Sequence, residues 1–343
     1  MKSYAEKLRN LGLQRNDPFL IKKATLDERF KAVREGDSTK YALEAMQEID
    51  PESTKRIFGE SKRVQNQLET GFDSARIDCE FRNQGSVTNN THIKFYSDID
   101  LLAIHKDFFT CKPPLKPENP YDGDPVEDLR KLRKTAVAAL NSAFPKANLD
   151  SSNNKCLSIS DGSLKSSVDI VPANWYHTVE FKASGLEYLR GIMILDNGSG
   201  ERIPNFPFLH NYRVNEKDDL CNGSLRKIIR LLKRLKYEAE PEIEISSYDI
   251  TAIAYNMSLN FLTVPQWADL TLVNNCNYYL RDLIKDEVAR SNMKVPNLTR
   301  SVFEAVSLNQ LQRLQAETNQ LVNDIQNETV RSFVKLSEAR IRY

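Results

Sequence analysis

The spacing of hydrophobic and polar positions changes twice along the chain, and the changes divide it. Over residues 54–68 the apolar side chains Ile57, Phe58, Val64 and Leu68 recur among polar neighbours at helical spacing. That pattern predicts a long, partly exposed helix. The period then falls to two. Residues 77–81 alternate as a half-buried strand does, and residues 98–104 (DIDLLAI) read as a second strand with a strongly apolar end. Residues 111–125 are rich in Pro and Gly and read as a loop, followed by a helix over about 126–144. Residues 155–160 and 166–171 look like two strands joined by a turn at Asp161-Gly162, and residues 179–195 add extended chain before a turn at 196–200. From about residue 215 the pattern is helical. Asn222-Gly223-Ser224 supplies capping chemistry for a helix to about Ala239, and Ser246 or Ser247 for another from Tyr248 to about Phe261. Pro265 suits the first turn of a third, and residues 299–340 are helical in composition and period. The expected architecture is α+β in two lobes. Residues 1–215 form a mixed β-sheet core with flanking and N-terminal helices, and residues 216–343 a C-terminal helical lobe. Ligands of such proteins tend to sit in the cleft between lobes.

Composition narrows the class. The chain has 343 residues, 40% hydrophobic and 28% charged, as an ordinary globular protein does. It is long enough to bury a large core without a covalent staple. A net charge of +1, from 48 Lys plus Arg against 47 Asp plus Glu, argues against a protein that coats long nucleic acid. A local basic groove stays compatible with that total. The five cysteines and four histidines are scattered, with no CxxC pair. A zinc knuckle is therefore not expected, and the thiols read as free in a reducing compartment. The N-terminus lacks an apolar signal core and no run approaches the ~20 apolar residues of a membrane span, so a cytoplasmic protein is expected.

The chemistry concentrates in Gly85-Ser86, followed after eleven residues by Asp98-Ile99-Asp100. Strand alternation turns Asp98 and Asp100 to one face, and Ile99 and Leu101 to the other. Two such carboxylates repel unless a cation lies between them, and Mg2+ favours carboxylate oxygens together with substrate phosphates. Asp169 sits in a third β-like run, SSVDIVP. If that strand lies beside the first, three carboxylates converge, as two-metal chemistry with ions ~3.5–4 Å apart requires. Gly85 admits close approach of backbone N–H groups to a triphosphate, and the Ser86 hydroxyl with a helix start after it would hold the terminal phosphates. Alone, an Asp-x-Asp is more often a solvated turn; the combination carries the reading. Further on, Leu225, Ile228, Ile229, Leu232 and Leu235 form a buried helical stripe. Lys227, Arg230 and Lys233 or Arg234 lie off it, as a solvated face or as phosphate ligands. Tyr248 is either core or a stacking platform worth about 1–3 kcal/mol per base.

Gly-Ser, a variable spacer, Asp-x-Asp and a later Asp resemble the signature of the polymerase-beta-type nucleotidyltransferase superfamily. The layout over roughly residues 50–265 is similar to the branch that contains cyclic GMP-AMP synthase, the oligoadenylate synthases and the bacterial cGAS/DncV-like nucleotidyltransferases (CD-NTases). The resemblance implies a two-lobed fold with a palm-like sheet. It implies that Asp98, Asp100 and Asp169 are catalytic and bind two Mg2+ ions, for which Mn2+ can substitute. Gly85, Ser86, Lys227, Arg230 and Lys233 would bind the nucleotide phosphates, and Ser247 and Tyr248 phosphate and base. It further implies ATP and/or GTP as substrates, a cyclic di- or trinucleotide second messenger in anti-phage signalling as product, and a product-sensing effector with regulatory partners. The His/Cys zinc insertion of the animal DNA sensor is missing from this sequence, which favours the bacterial branch and speaks against activation by long nucleic acid. The alternatives are nucleotidyl transfer to an RNA, protein or small-molecule acceptor, and an inactive nucleotide-binding scaffold.

Overall fold

The structure is a computed structural model that describes residues 2–15, 36–94, 97–265 and 267–341. It consists of two compact units. One comprises Pro51–His92 and Tyr96–Arg213, the other Met1–Asp50, Ile93–Phe95 and Val214–Tyr343. The expected division at 215/216 therefore needs a correction at the N-terminus. After α1 (Tyr4–Arg15), helix α2 (Asp37–Met46) buries Tyr41, Ala42, Ala45 and Met46 in the same core as the C-terminal helices. Periodicity shows that a helix has an apolar face; it does not show which partner covers that face.

The α+β unit is built on α3 (Pro51–Ser74), β1 (Cys79–Gln84), β2 (Ile99–Cys111), α4 (Pro125–Ala143), β3 (Asn148–Asp150), β4 (Leu157–Ser160) and β5 (Val168–His177). It continues with α5 (Val179–Ser184), β6 (Gly191–Leu195), β7 (Arg202–Asn205) and the start of α6 (Pro207–Leu220). Among the described residues seven strands form one sheet, ordered β1-β2-β5-β4-β3, with β6 pairing β5 and β7 pairing β6. β2 and β5 run parallel and the other pairs antiparallel. The central pair is apolar on both faces, as a parallel pair covered on both sides requires. Ile99, Leu101 and Ala103 of β2, with Val168 and Ile170 of β5, pack against Ile57, Val64, Leu68 and Phe72 of α3 and Leu132, Ala136 and Leu140 of α4. Leu102, Ile104, Val171, Ala173 and Trp175 occupy the opposite face. α4 begins where Asp124 accepts from the backbone N–H groups of Val126 and Glu127, with Pro125 in the first turn.

Local chemistry overrides pattern in several places. Residues 179–195 are extended only over β6. Thr178 caps α5 by accepting from Phe181 N, and Gly185 ends it in the left-handed region. β2 runs on to Cys111, into what read as loop, and α6 starts well before residue 215.

The second unit continues with α7 (Ser224–Glu238), α8 (Ser247–Tyr255), α9 (Leu259–Leu262), α10 (Asp269–Lys285), α11 (Glu287–Asn292) and α12 (Leu308–Ile341). α8 stops short of Phe261, and α10 begins after Pro265 rather than on it. The stripe Leu225, Ile228, Ile229, Leu232 and Leu235 is fully buried. Glu328 of α12 caps α2, accepting from Ser38 N at 2.8 Å and Thr39 N at 3.0 Å.

Two glycines of α3 give a matched test of the packing. A Cβ on Gly71 would stand 2.6 Å from the Ala139 Cβ of α4, whereas one on the exposed Gly59 meets nothing within 4 Å. Gly71→Ala is expected to lose about 1–3 kcal/mol by overpacking, and Gly59→Ala to gain about 0.5–1 kcal/mol through helix propensity. Urea denaturation of both variants measures the contrast; equal effects would contradict the packing described.

Candidate active site

The register of three neighbouring strands assembles the site. Asp100 on β2 pairs with Asp169 on β5, Gln84 on β1 pairs with Asp100, and Ser158 on β4 pairs with Asp169. All four lie on the sheet face opposite α3 and α4, because side chains alternate along a strand. A slip of one residue would carry Ile99, Leu101, Val168 and Ile170 out of the helix-covered core. The apolar packing therefore fixes the two carboxylates side by side. Asp98 is exposed just ahead of the ladder, which opens with Ile99 N donating to Ser167 O at 3.2 Å.

Gly85 follows β1 directly. Its φ is +89°, and a Cβ there would lie 2.2 Å from Asp100 Oδ2. Only glycine satisfies both the left-handed backbone and this close approach. The expected helix start after Ser86 is instead a tight turn. Asn89 N donates to Gly85 O at 3.3 Å and Thr91 N to Ser86 O at 2.9 Å. Val87, Asn89, Thr91 and His92 are buried and anchor the turn. Asn89 Nδ2 donates to Asn211 Oδ1 of α6 at 2.9 Å, and His92 Nε2 lies 3.2 Å from Thr54 Oγ1 of α3. Ser86 is thus carried on a pinned turn, and the backbone N–H groups come from that turn rather than from a helix end.

The electrostatics are unfavourable without a counter-charge. Burial, then the charges of Asp169 and Asp98, push Asp100 up to about 7. Burial and Asp98 raise Asp169 as well, while the hydroxyl of Ser158 acts in the opposite sense by favouring its charged form. Hard carboxylate oxygens held together against their repulsion suit a divalent cation. Among the described residues no three His, Cys, Asp or Glu side chains form a ready-made metal cage. The carboxylates form an open row on a sheet face rather than a closed cage.

The other expected nucleotide ligands belong to the helical unit, and their surroundings correct the picture of a solvated basic face. Lys227 Nζ donates to both carboxylate oxygens of Asp269, at 2.7 and 2.8 Å. Arg230 is buried, with Nε donating to Met46 O at 2.8 Å. Arg234 is buried and donates to Ile93 O. Lys233 is buried too, and desolvation followed by the neighbouring Arg230 and Lys236 charges pushes it down to about 7. α7 is covered around much of its girth, which the stripe at helical spacing could not show. Of the two serines, Ser246 caps α8, its Oγ accepting from Asp249 N at 3.0 Å. Ser247 is exposed in the first turn. Tyr248 is half-buried, its hydroxyl donating to Asn297 Oδ1 at 3.1 Å. The structure brings together Gly85, Asp100 and Asp169, and adds Ser158, which sequence reasoning missed. Eight residues separate the Ile159↔Val168 rung, so the Asp161-Gly162 turn alone does not reveal the register.

The raised Asp100 has a definite sign in stability. Its ordinary value is 3.8, and in the metal-free folded chain it sits at about 7. Between these values the folded chain holds a proton that the unfolded chain releases, so stability falls as pH rises through this window. Asp100→Asn should remove that loss. Without divalent metal, the variant is expected to melt above wild type at pH 8, by about 2–4 °C for each kcal/mol recovered, and the gap should close towards pH 4. A lower melting temperature for the variant at pH 8 would contradict the electrostatics.

Comparison with known proteins agrees with this geometry. Residues 212–333 match the model of the cGAS/DncV-like nucleotidyltransferase C-terminal helical domain. Over 309 residues the chain is 35% identical to the cyclic dinucleotide synthase CdnE of Yersinia aleksiciae, spanning 88% of this chain and 81% of that protein. The fold matches a STING-associated CdnE c-di-GMP synthase from Capnocytophaga granulosa with a TM-score of 0.79 at 29% identity, over 95% of this chain and 99% of that one. A second such synthase, from Flavobacteriaceae sp., shares the fold with a TM-score of 0.81 at 24% identity, over 96% and 99%. With an acidic pair locked in register beside a Gly-Ser turn, and relatives alike along most of its length, the chain belongs to the cGAS/DncV-like nucleotidyltransferases, the enzymes of cyclic-oligonucleotide synthesis.

Proposed function

We propose that this enzyme joins two purine ribonucleoside triphosphates into a cyclic dinucleotide, with GTP as substrate and c-di-GMP as product. The observation that carries the chemistry is the Asp100↔Asp169 rung with Gly85 set against Asp100. The product class follows the relatives. The Yersinia protein is a cyclic dinucleotide synthase, and c-di-GMP synthases from Lachnospiraceae and Capnocytophaga granulosa are 31% and 33% identical to this chain.

Asp98, Asp100 and Asp169 would hold two Mg2+ ions, or Mn2+ in their place. A metal held there would supply Lewis-acid chemistry, lowering the pKa of a ribose hydroxyl and offsetting pyrophosphate charge. The chain's own contribution is positioning and charge. The turn after Gly85 offers backbone N–H groups to the triphosphate, and Ser86 Oγ donates to a terminal phosphate oxygen. Lys227 exchanges Asp269 for phosphate, while Arg230 and Lys233 supply positive charge behind it. Ser247 donates to phosphate from the first turn of α8, and the Tyr248 ring stacks on a base. The ribose oxygen forms its bond to the α-phosphorus, the hydroxyl proton passes to water and the bond to the departing pyrophosphate breaks; a second round closes the ring. Among the described residues no helix is long and apolar enough to cross a membrane, and a cytoplasmic reaction fits that. The STING association named for two structural relatives supports a product-sensing effector as partner.

The test is to incubate the chain with the four ribonucleoside triphosphates and Mg2+, one labelled at the α-phosphate in turn, and then treat with phosphatase. A phosphatase-resistant product with the mass of c-di-GMP is expected. Asp169→Asn should lower its rate by about a thousandfold or more with the melting temperature retained. Turnover that survives in the variant would overturn the site, and label transferred only to an added acceptor would overturn the product.

A further inference from the structure

Tyr248 is held more elaborately than a packed tyrosine needs. In the first turn of α8, Ser246 Oγ accepts from Asp249 N and donates to Asp249 Oδ2 at 2.7 Å, which fixes the buried Asp249 carboxylate. Arg300 reaches that carboxylate, donating through Nη2 to Asp249 Oδ1 at 2.6 Å, and Nη1 donates to Ser301 O at 3.0 Å. Anchored this way, its guanidinium lies over the Tyr248 ring, 5.5 Å from the centroid. Asn297 holds the rim. Its Oδ1 accepts from the Tyr248 hydroxyl at 3.1 Å and from Thr299 Oγ1 at 2.8 Å.

Both groups come from one tight loop. Val295 N donates to Arg300 O at 3.2 Å, Leu298 N donates to Val295 O at 2.8 Å, and Lys294 bridges to Ser301 at its base. At the tip Leu298 adopts φ +61° with its side chain 58% exposed. A left-handed leucine is strained, and an exposed apolar side chain returns none of that cost. Val295 anchors the loop in the core, but the tip itself gains no packing from its strain. What the strained tip achieves is to deliver Asn297 and Arg300 together to one ring. A buried tyrosine needs a partner for its hydroxyl, but packing alone gives no reason to hold a cation on its face with a buried carboxylate, since such ion pairs seldom add net stability.

We infer that Arg300 and Asn297 are positioning residues for the nucleobase platform. Arg300 covers one face of Tyr248 and Asn297 fixes its rim, so the ring presents one face, in one orientation, to a single base. The inference rests on the stacking role proposed for Tyr248 and assigns to the 295–300 loop a part in substrate affinity rather than in the chemical step.

A double-mutant cycle on the full chain tests it, with GTP and Mg2+ as substrate, initial rates and the melting temperature as readouts. Arg300→Lys keeps the ion pair with Asp249 but cannot lie flat on the ring. It should raise KM for GTP about threefold to fivefold, leave kcat within about twofold and preserve the melting temperature. In a Tyr248→Ala background, where KM is already raised, the same substitution should change nothing further. An equal rise in both backgrounds, or no rise beside an intact Tyr248, overturns the role of Arg300 and leaves the platform standing. An unchanged KM in Tyr248→Ala overturns the platform and the inference with it.

Discussion

The parallel register between β2 and β5 is the constraint on which the site depends. Four fully buried aliphatic side chains, Ile99, Leu101, Val168 and Ile170, hold it from the helix-covered side. At about 1.5–3 kcal/mol each, their burial is worth about 6–12 kcal/mol. Against this stands the mutual repulsion and desolvation of the carboxylates on the other face. A displacement of Asp100 from 3.8 to about 7 amounts to at most about 4 kcal/mol. Packing wins, and two carboxylates that would part in water are held as neighbours. A divalent cation bound as proposed would relieve that repulsion.

The helical unit shows a related arrangement. Its cations are drawn into the fold: Arg230 on a backbone carbonyl, Lys233 buried so that desolvation and then the Arg230 and Lys236 charges lower its pKa, Lys227 on the Asp269 carboxylate. If this face binds phosphate as proposed, cations kept from solvent would attract it more strongly than surface lysines do. They are also ordered beforehand, which reduces the entropy lost on binding. Each unit by itself thus holds like charges by packing, negative on the sheet of one and positive in the helices of the other.

Much of this was legible in the residues, and the limits have physical reasons. The alternation in DIDLLAI and SSVDIVP gives the face that each aspartate takes, because strand period and apolar demand agree there. The α+β class follows from the switch between the two periods. The eight residues between Ile159 and Val168 leave the register of β4 on β5 open, so Ser158 stayed hidden opposite Asp169. The fate of residues 179–195 turned on one capping interaction, from Thr178, within a sequence of mixed propensity. The burial of Arg230, Lys233 and Arg234 was not legible, because helical spacing shows where the strongest stripe lies and not how many neighbours surround the helix. Likewise α2 carries an apolar face in its sequence, but only the fold says that the C-terminal helices cover it.

Packing holds Asp100 beside Asp169 with a raised pKa, so a divalent cation bound there should displace a proton. Calorimetric titration of Mg2+ into the chain at pH 7, repeated in buffers of different ionisation enthalpy, counts the protons released on binding. With Asp100 near 7 in the free chain, release of about half a proton per site is expected, and Asp100→Asn should abolish it. Binding of Mg2+ without proton release in the wild-type chain, or release that persists in the variant, would contradict the account.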